Sequence, residues 1–121
     1  MNALLLLAHG SRKKESNDEI IRLAKTLDET PDKGFDKVVC AFNQFSPPSA
    51  EEQIKQLAVM GATKITVLPY FIAAGSHVLT DIPELVHAAQ IQYPGILFQV
   101  SPHFGAFNGV KNLILSELSH G

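Results

Sequence analysis

The sequence predicts an α/β fold, a three-layer sandwich in which a parallel sheet of roughly four strands carries helices on both faces. Three observations lead there: short, unbroken apolar runs; amphipathic stretches that alternate with them; and short connections between the two along all 121 residues. A strand buried on both faces reads as a continuous apolar run, and strict β-α alternation marks a parallel sheet with crossover helices. A hydrophobic content of 45% is enough for one sizeable core, and a charged fraction of 18% suits a sheet covered on both sides.

Ala3 to Ala8 is the first apolar run, ended by His9-Gly10-Ser11. From Asn17 to about Leu27, the residues Ile20, Ile21, Ala24 and Leu27 recur at helical spacing against a charged face. Pro31 and Gly34 end that helix before a second strand, Lys37 to Phe42. Ser49 has the character of a helix N-cap, with Glu52 three residues on to complete a capping box. That helix turns Ile54, Leu57 and Ala58 inward and stops near Gly61. Ile65 to Leu68 forms the third strand, followed by an apolar, glycine-containing loop from Pro69 to His77. Thr80 or Asp81 is expected to cap the third helix, with Pro83 in its first turn and Tyr93-Pro94-Gly95 at its end. Ile96 to Val100 is the fourth strand. Val110 to Leu118 is the last helix, with Val110, Leu113, Ile114 and Leu118 on one stripe.

Composition excludes several functions. A formal net charge of -2 gives no bulk attraction for nucleic acid. The single cysteine, Cys40, has no internal disulfide partner, and its place in the run Val38 to Phe42 marks an inert core thiol. The opening apolar run lacks a basic leader and ends at Ala8, and no stretch approaches the roughly 20 apolar residues of a membrane span. The expectation is a single domain over residues 1–121 in the cytoplasm, without nucleic-acid or membrane partners.

In open α/β sheets, ligands bind beyond the carboxyl ends of the strands where strand order reverses. A flavodoxin-like order sets strands one and three side by side at that point. It would bring His9, at the end of strand one, and His77, after strand three, to one crevice. Neutral imidazole is a common metal ligand and a base near physiological pH, so such a pair can hold a divalent metal or move protons. The plainer alternative is that each histidine only bonds a loop carbonyl. His103, in Ser101-Pro102-His103-Phe104-Gly105, shares that sheet edge; His87 lies within a helix and His120 in the tail. A structural or solvated role is expected of these three.

With these residues in view, the chain resembles the small class II tetrapyrrole chelatases of the CbiX type, the sirohydrochlorin cobaltochelatases and ferrochelatases. The resemblance rests on "LLLLAHGSR", "AFNQFSPPSAEEQIKQL", "GATKITVLPYFIAAGSHVLTDIPEL" and, more weakly, "SPHFGAF", in the right order along nearly the whole chain. It implies a chelatase-like fold and the insertion of cobalt(II) or iron(II) into sirohydrochlorin, on the route to cobalamin or sirohaem. The divalent metal is then a substrate, and no organic cofactor is needed. The resemblance makes His9 and His77 the metal-binding and catalytic pair and sets Gln44, Ser11, Arg12, Tyr70, Phe71, Gly75 and Ser76 around the tetrapyrrole. It further implies a homodimer around a shared cleft. Tyr70, Phe71, Ile72 and Ala73 would form an apolar wall against the macrocycle, unless they serve ordinary loop packing. Arg12, Lys13 and Lys14 would attract its carboxylates, unless they are only a solvated helical turn.

Two positions depart from the family. Gln44 stands where a glutamate is common, and an amide neither takes a proton nor offsets a metal's charge. Thr80 replaces the usual basic residue before Asp81-Ile82-Pro83. The competing reading is therefore a homologue that binds tetrapyrrole or metal without efficient insertion. A histidine phosphatase would carry arginine before the His-Gly pair, where Ala8 stands. A mononucleotide binder would need a richer Ser, Thr and Gly loop than Gly10-Ser11 supplies.

Overall fold

The structure, a computed structural model, describes residues 1–119, with residues 77–79 described by their backbone only. Four strands, β1 (Asn2–Ala8), β2 (Lys37–Phe42), β3 (Lys64–Pro69) and β4 (Leu97–Val100), form one parallel sheet in the order β2-β1-β3-β4. Leu5 is in register with Val39 on one side and Val67 on the other. Between the strands run α1 (Lys14–Glu29), α2 (Ala50–Val59) and α3 (Ser76–Gln92); after β4 come a single 3-10 turn, Phe104–Ala106, and α4 (Gly109–Ser119).

Strand alternation divides the core into two. Ala3, Leu5, Leu7, Ile65, Val67 and Phe98 face α2 and α3, meeting Ile54, Leu57, Ile82 and Ala89. Leu6, Ala8, Val38, Cys40 and Phe42 face α1 and meet Ala24, with Ile20, Leu23 and Leu27 at the margin. Successive side chains of a strand point to opposite faces, so a continuous apolar run such as Leu4 to Leu7 supplies both layers. Burial raises the Cys40 thiol's pKa above its ordinary value, which keeps it protonated and inert, as its sequence setting suggested.

The expected element types and their order are all present; several boundaries move. α1 begins at Lys14, three residues before the apolar periodicity does, because its first turn is polar and held by the Lys14–Asp18 ion pair at 3.2 Å. Ser49 Oγ accepts a hydrogen bond from the Glu52 amide at 3.1 Å, as a cap should. The third helix is the main correction. It starts at Ser76, behind an extended Gly75, so that Thr80 and Asp81 lie inside it rather than at its cap. Thr80 Oγ1 donates back to the Ser76 carbonyl at 3.2 Å, a bond of the helix interior. Pro83 therefore sits well inside α3, and His77 belongs to its first turn rather than to the loop.

The last helix forms where expected, but its stripe does not pack on the sheet. No residue of α4 is buried, and Ile114 and Leu118 are 52% and 75% exposed. The sandwich is thus α1, the sheet, and α2 with α3; Leu97 on the edge strand stays exposed. His120 lies outside the described residues.

Candidate functional site

The sheet order reverses between β1 and β3, and the loops at their carboxyl ends are tied together by the backbone. The Asn43 amide donates to the Ala8 carbonyl at 2.9 Å, and the Gln44 amide to the His9 carbonyl at 3.0 Å. Across the reversal, the Tyr70 amide donates to the Leu7 carbonyl, and the Gly105 amide to the Phe71 carbonyl, both at 2.9 Å. The turns after β1, β2, β3 and β4 therefore meet as one linked rim.

Two glycines permit this closeness. Gly10 has φ of +87°, and a Cβ there would run into the Gln44 carbonyl. A Cβ on Gly105 would run into the backbone of Ile72. Both loops meet backbone to backbone, so a side chain could not simply swing aside.

His9 stands at the top of β1 with its side chain exposed, its imidazole lying on the Phe71 ring at 4.1 Å between centroids and 39° between planes. Phe71 is itself only 6% exposed and belongs to the core beneath. A buried aromatic platform fixes the imidazole from below and leaves its edge free. Of the proposed apolar wall, Phe71 is this platform and Tyr70 is half-buried against Phe104 at 5.2 Å, while Ile72 and Ala73 are exposed. Between Pro69, Ala74, Ile82, Pro83, Val100 and His103 lies a cavity of about 190 Å³, so His103 does line an apolar hollow at this edge.

Ser11 Oγ accepts from the Lys13 amide at 3.0 Å, closing the turn into α1. The Arg12 guanidinium lies 4.8 Å from the centroid of the Phe45 ring, a cation-π contact that spans the first and second loops. Gln44 is exposed beside His9; Gly75 and Ser76 are exposed at the start of α3. His77 follows there, but its side chain lies outside the described set. His87 is exposed on α3. Among the described residues, no three His, Cys, Asp or Glu side chains gather as a metal-holding group.

Two residues at this rim escaped sequence reasoning. Phe45 is 55% exposed with φ of +68°, and nothing in a single aromatic flanked by Gln44 and Ser46 announces a partner for Arg12. Asn17 reads in the sequence only as the start of a helix; an asparagine inside a helical pattern is itself a signal, because it competes for backbone bonds.

The fold and this rim define a class: a doubly wound parallel α/β domain with a histidine presented at its switch point. A family model described as CbiX matches residues 3–120, and the chain belongs to that family. It is 27% identical over 119 residues to the chloroplastic sirohydrochlorin ferrochelatase of Arabidopsis thaliana, covering 98% of this chain and 52% of that protein. It is 42% identical over 84 residues to the sirohydrochlorin cobaltochelatase of Sulfurisphaera tokodaii, covering 69% of this chain and 67% of that one. Among solved structures, the sirohydrochlorin chelatase SirB from Bacillus subtilis subspecies spizizenii, in complex with cobalt, superposes with a TM-score of 0.82 at 24% identity. That match takes in 98% of this chain and 50% of the Bacillus chain, and it shows the shared fold. The chain spans about half the length of the plant and Bacillus proteins.

Proposed function

We propose that this chain is a sirohydrochlorin chelatase that inserts divalent cobalt or iron into the macrocycle, with residues 1–121 acting as a single chelatase-like domain in the cytoplasm. The observation that carries the reading is the His9 imidazole, exposed at the switch point on a buried aromatic platform. Insertion exchanges two pyrrole N–H protons for one metal ion. It needs groups that bind a metal and let it go, and bases that take protons; neutral imidazole does both. In this reading His9 and His77 are the pair. What favours His77 is its place in the first turn of α3, directly after the loop from β3, the strand next to β1. Tyr70 and Phe71 offer apolar surface to the flat ring. Ser11, Gly75 and Ser76 offer polar groups at its edge, and Arg12 offers positive charge to its carboxylates. The metal is a substrate, and the reaction as written requires no organic cofactor. The test is to mix protein, sirohydrochlorin and cobalt(II) and follow the absorption of the macrocycle. Acceleration over the protein-free rate is expected; an unchanged rate would defeat the reading.

A second reading, binding without efficient insertion, is favoured by one residue. Gln44 adjoins His9 through the bond from its amide to the His9 carbonyl, and its side chain is neutral. A carboxylate there would offset part of the metal's charge and could accept a pyrrole proton. A charge-assisted contact is worth about 1.5–3 kcal/mol, or roughly one to two decades. Gln44→Glu is therefore expected to raise insertion or metal affinity by about 10- to 100-fold, with the gain lost at acid pH as the new carboxylate protonates. Unchanged kinetics and metal binding would mean that position 44 limits nothing.

The same reading includes a homodimer. Its support is α4, whose Leu113, Ile114, Leu115 and Leu118 are all exposed. A second copy with an identical stripe is a natural partner for it. Sedimentation velocity should find a dimer for wild type and a monomer for Ile114→Glu/Leu118→Glu. A wild-type monomer at micromolar concentration would exclude the pairing.

A further inference from the structure

Asn17 is the one buried polar or charged side chain among the described residues, 7% exposed in the first turns of α1. Its carboxamide makes two short hydrogen bonds to a single residue of the turn above it. Oδ1 accepts from the Ser11 amide at 2.9 Å, and Nδ2 donates to the Ser11 carbonyl at 2.7 Å. Only a carboxamide accepts and donates from one planar end in this way; a carboxylate can only accept. Ser11 belongs to no strand or helix, so Asn17 gives its backbone the partners that a sheet would otherwise provide.

The consequence falls on His9, two residues earlier. On one side its carbonyl is held by the Gln44 amide, with Gly10 pressed against the Gln44 carbonyl. On the other side Ser11 is clamped by Asn17. The imidazole is set on Phe71 between these two anchors. Asn17 lies beneath the turn and is buried, so it acts through the turn rather than on a ligand.

We propose that Asn17 is a positioning residue for His9, holding the turn 9–11 in the one geometry that sets the imidazole on Phe71. The proposal rests on the chelatase reading for its kinetic consequence and on the structure alone for its geometric one, and the two are tested separately.

Asn17→Asp is the probe: it keeps the shape and the acceptor but turns an oxygen toward the Ser11 carbonyl where a donor stood. In the 121-residue chain, NMR should show the His9 ring protons of wild type shifted by the Phe71 ring current. That shift should shrink toward the values of the exposed His87 in Asn17→Asp, with faster hydrogen exchange at the Ser11 amide. In the cobalt(II) insertion assay the same variant should lose kcat by about 10-fold or more, since small misplacements of a reacting group are costly, with the KM for sirohydrochlorin nearly unchanged. Added to His9→Ala, it should cost nothing further, because the group it positions is gone.

Wild-type His9 shifts and Ser11 protection in Asn17→Asp would overturn the proposal, as would an effect that adds in full to that of His9→Ala. Should Asn17→Asp fail to fold, Asn17→Ala, which removes both bonds without adding charge, is read by the same criteria. A wild-type chain that inserts no metal defeats the chelatase reading instead, and the His9 shifts then decide alone whether Asn17 sets the imidazole.

Discussion

Replacing His9 with alanine is expected to cut metal insertion by about a hundredfold or more while leaving the chain folded, because loss of a positioned proton acceptor typically costs 10²- to 10⁴-fold. The separation of the two effects follows from where the side chain sits. His9 is exposed, and among the described residues its one aromatic contact is Phe71, which stays packed in the core without it. An aromatic pair of this kind contributes about 1 kcal/mol beyond its buried area, too little to unfold the domain. His77→Ala should produce a loss of the same order if the two imidazoles share the metal and the pyrrole protons. The double variant should then be little worse than either single one, since residues that act as a unit are not additive. Insertion kinetics paired with thermal melts check both points. Wild-type turnover in the double variant would remove the histidines from the reaction. Unfolding of His9→Ala would return His9 to the plain role of a packed loop residue.

The central strands were legible because each is a short apolar run, and β1, buried on both faces, reads as the unbroken Leu4 to Leu7. The division of labour among helices was less so. α4 has the same kind of apolar stripe as a packed helix, and periodicity alone does not say whether that stripe meets the chain's own sheet or another surface. The start of α3 was missed because Thr80 and Pro83 each look like the opening of a helix. In the structure Thr80 bonds back into a turn already formed, and Pro83 is carried in the interior. For the candidate site, topology pointed to the end of β1, and the structure places an exposed His9 imidazole there against Phe71. What was not readable is what holds it. Asn17, Phe45 and the Gln44 amide act across loop contacts that depend on three-dimensional closeness, and they leave only faint marks in a linear pattern.

The second large effect is expected at Gly10, where alanine should destabilise the chain and abolish insertion together. Two costs arise at one atom. The backbone at Gly10 has φ of +87°, a conformation that L side chains rarely adopt and that costs roughly 1–2 kcal/mol. The new methyl would also run into the Gln44 carbonyl, and Phe42 Cβ lies only 3.2 Å from its position. Neither neighbour yields cheaply: one is backbone whose amide is already bonded to His9, the other belongs to a strand that is in register with β1. Overpacking of this kind adds about 1–3 kcal/mol, so denaturant melts should show a loss of roughly 2–5 kcal/mol. The overlap can be relieved only by parting the first loop from the second, which breaks the Gln44–His9 bond and moves the imidazole off the geometry proposed for insertion. Gly10→Ala should therefore lose more activity than its fraction unfolded accounts for, measured at a temperature where most of it remains native. Full activity in the folded fraction would show that the approach of these two loops does not set the site. A melt unchanged from wild type would show that the turn has room for a side chain after all.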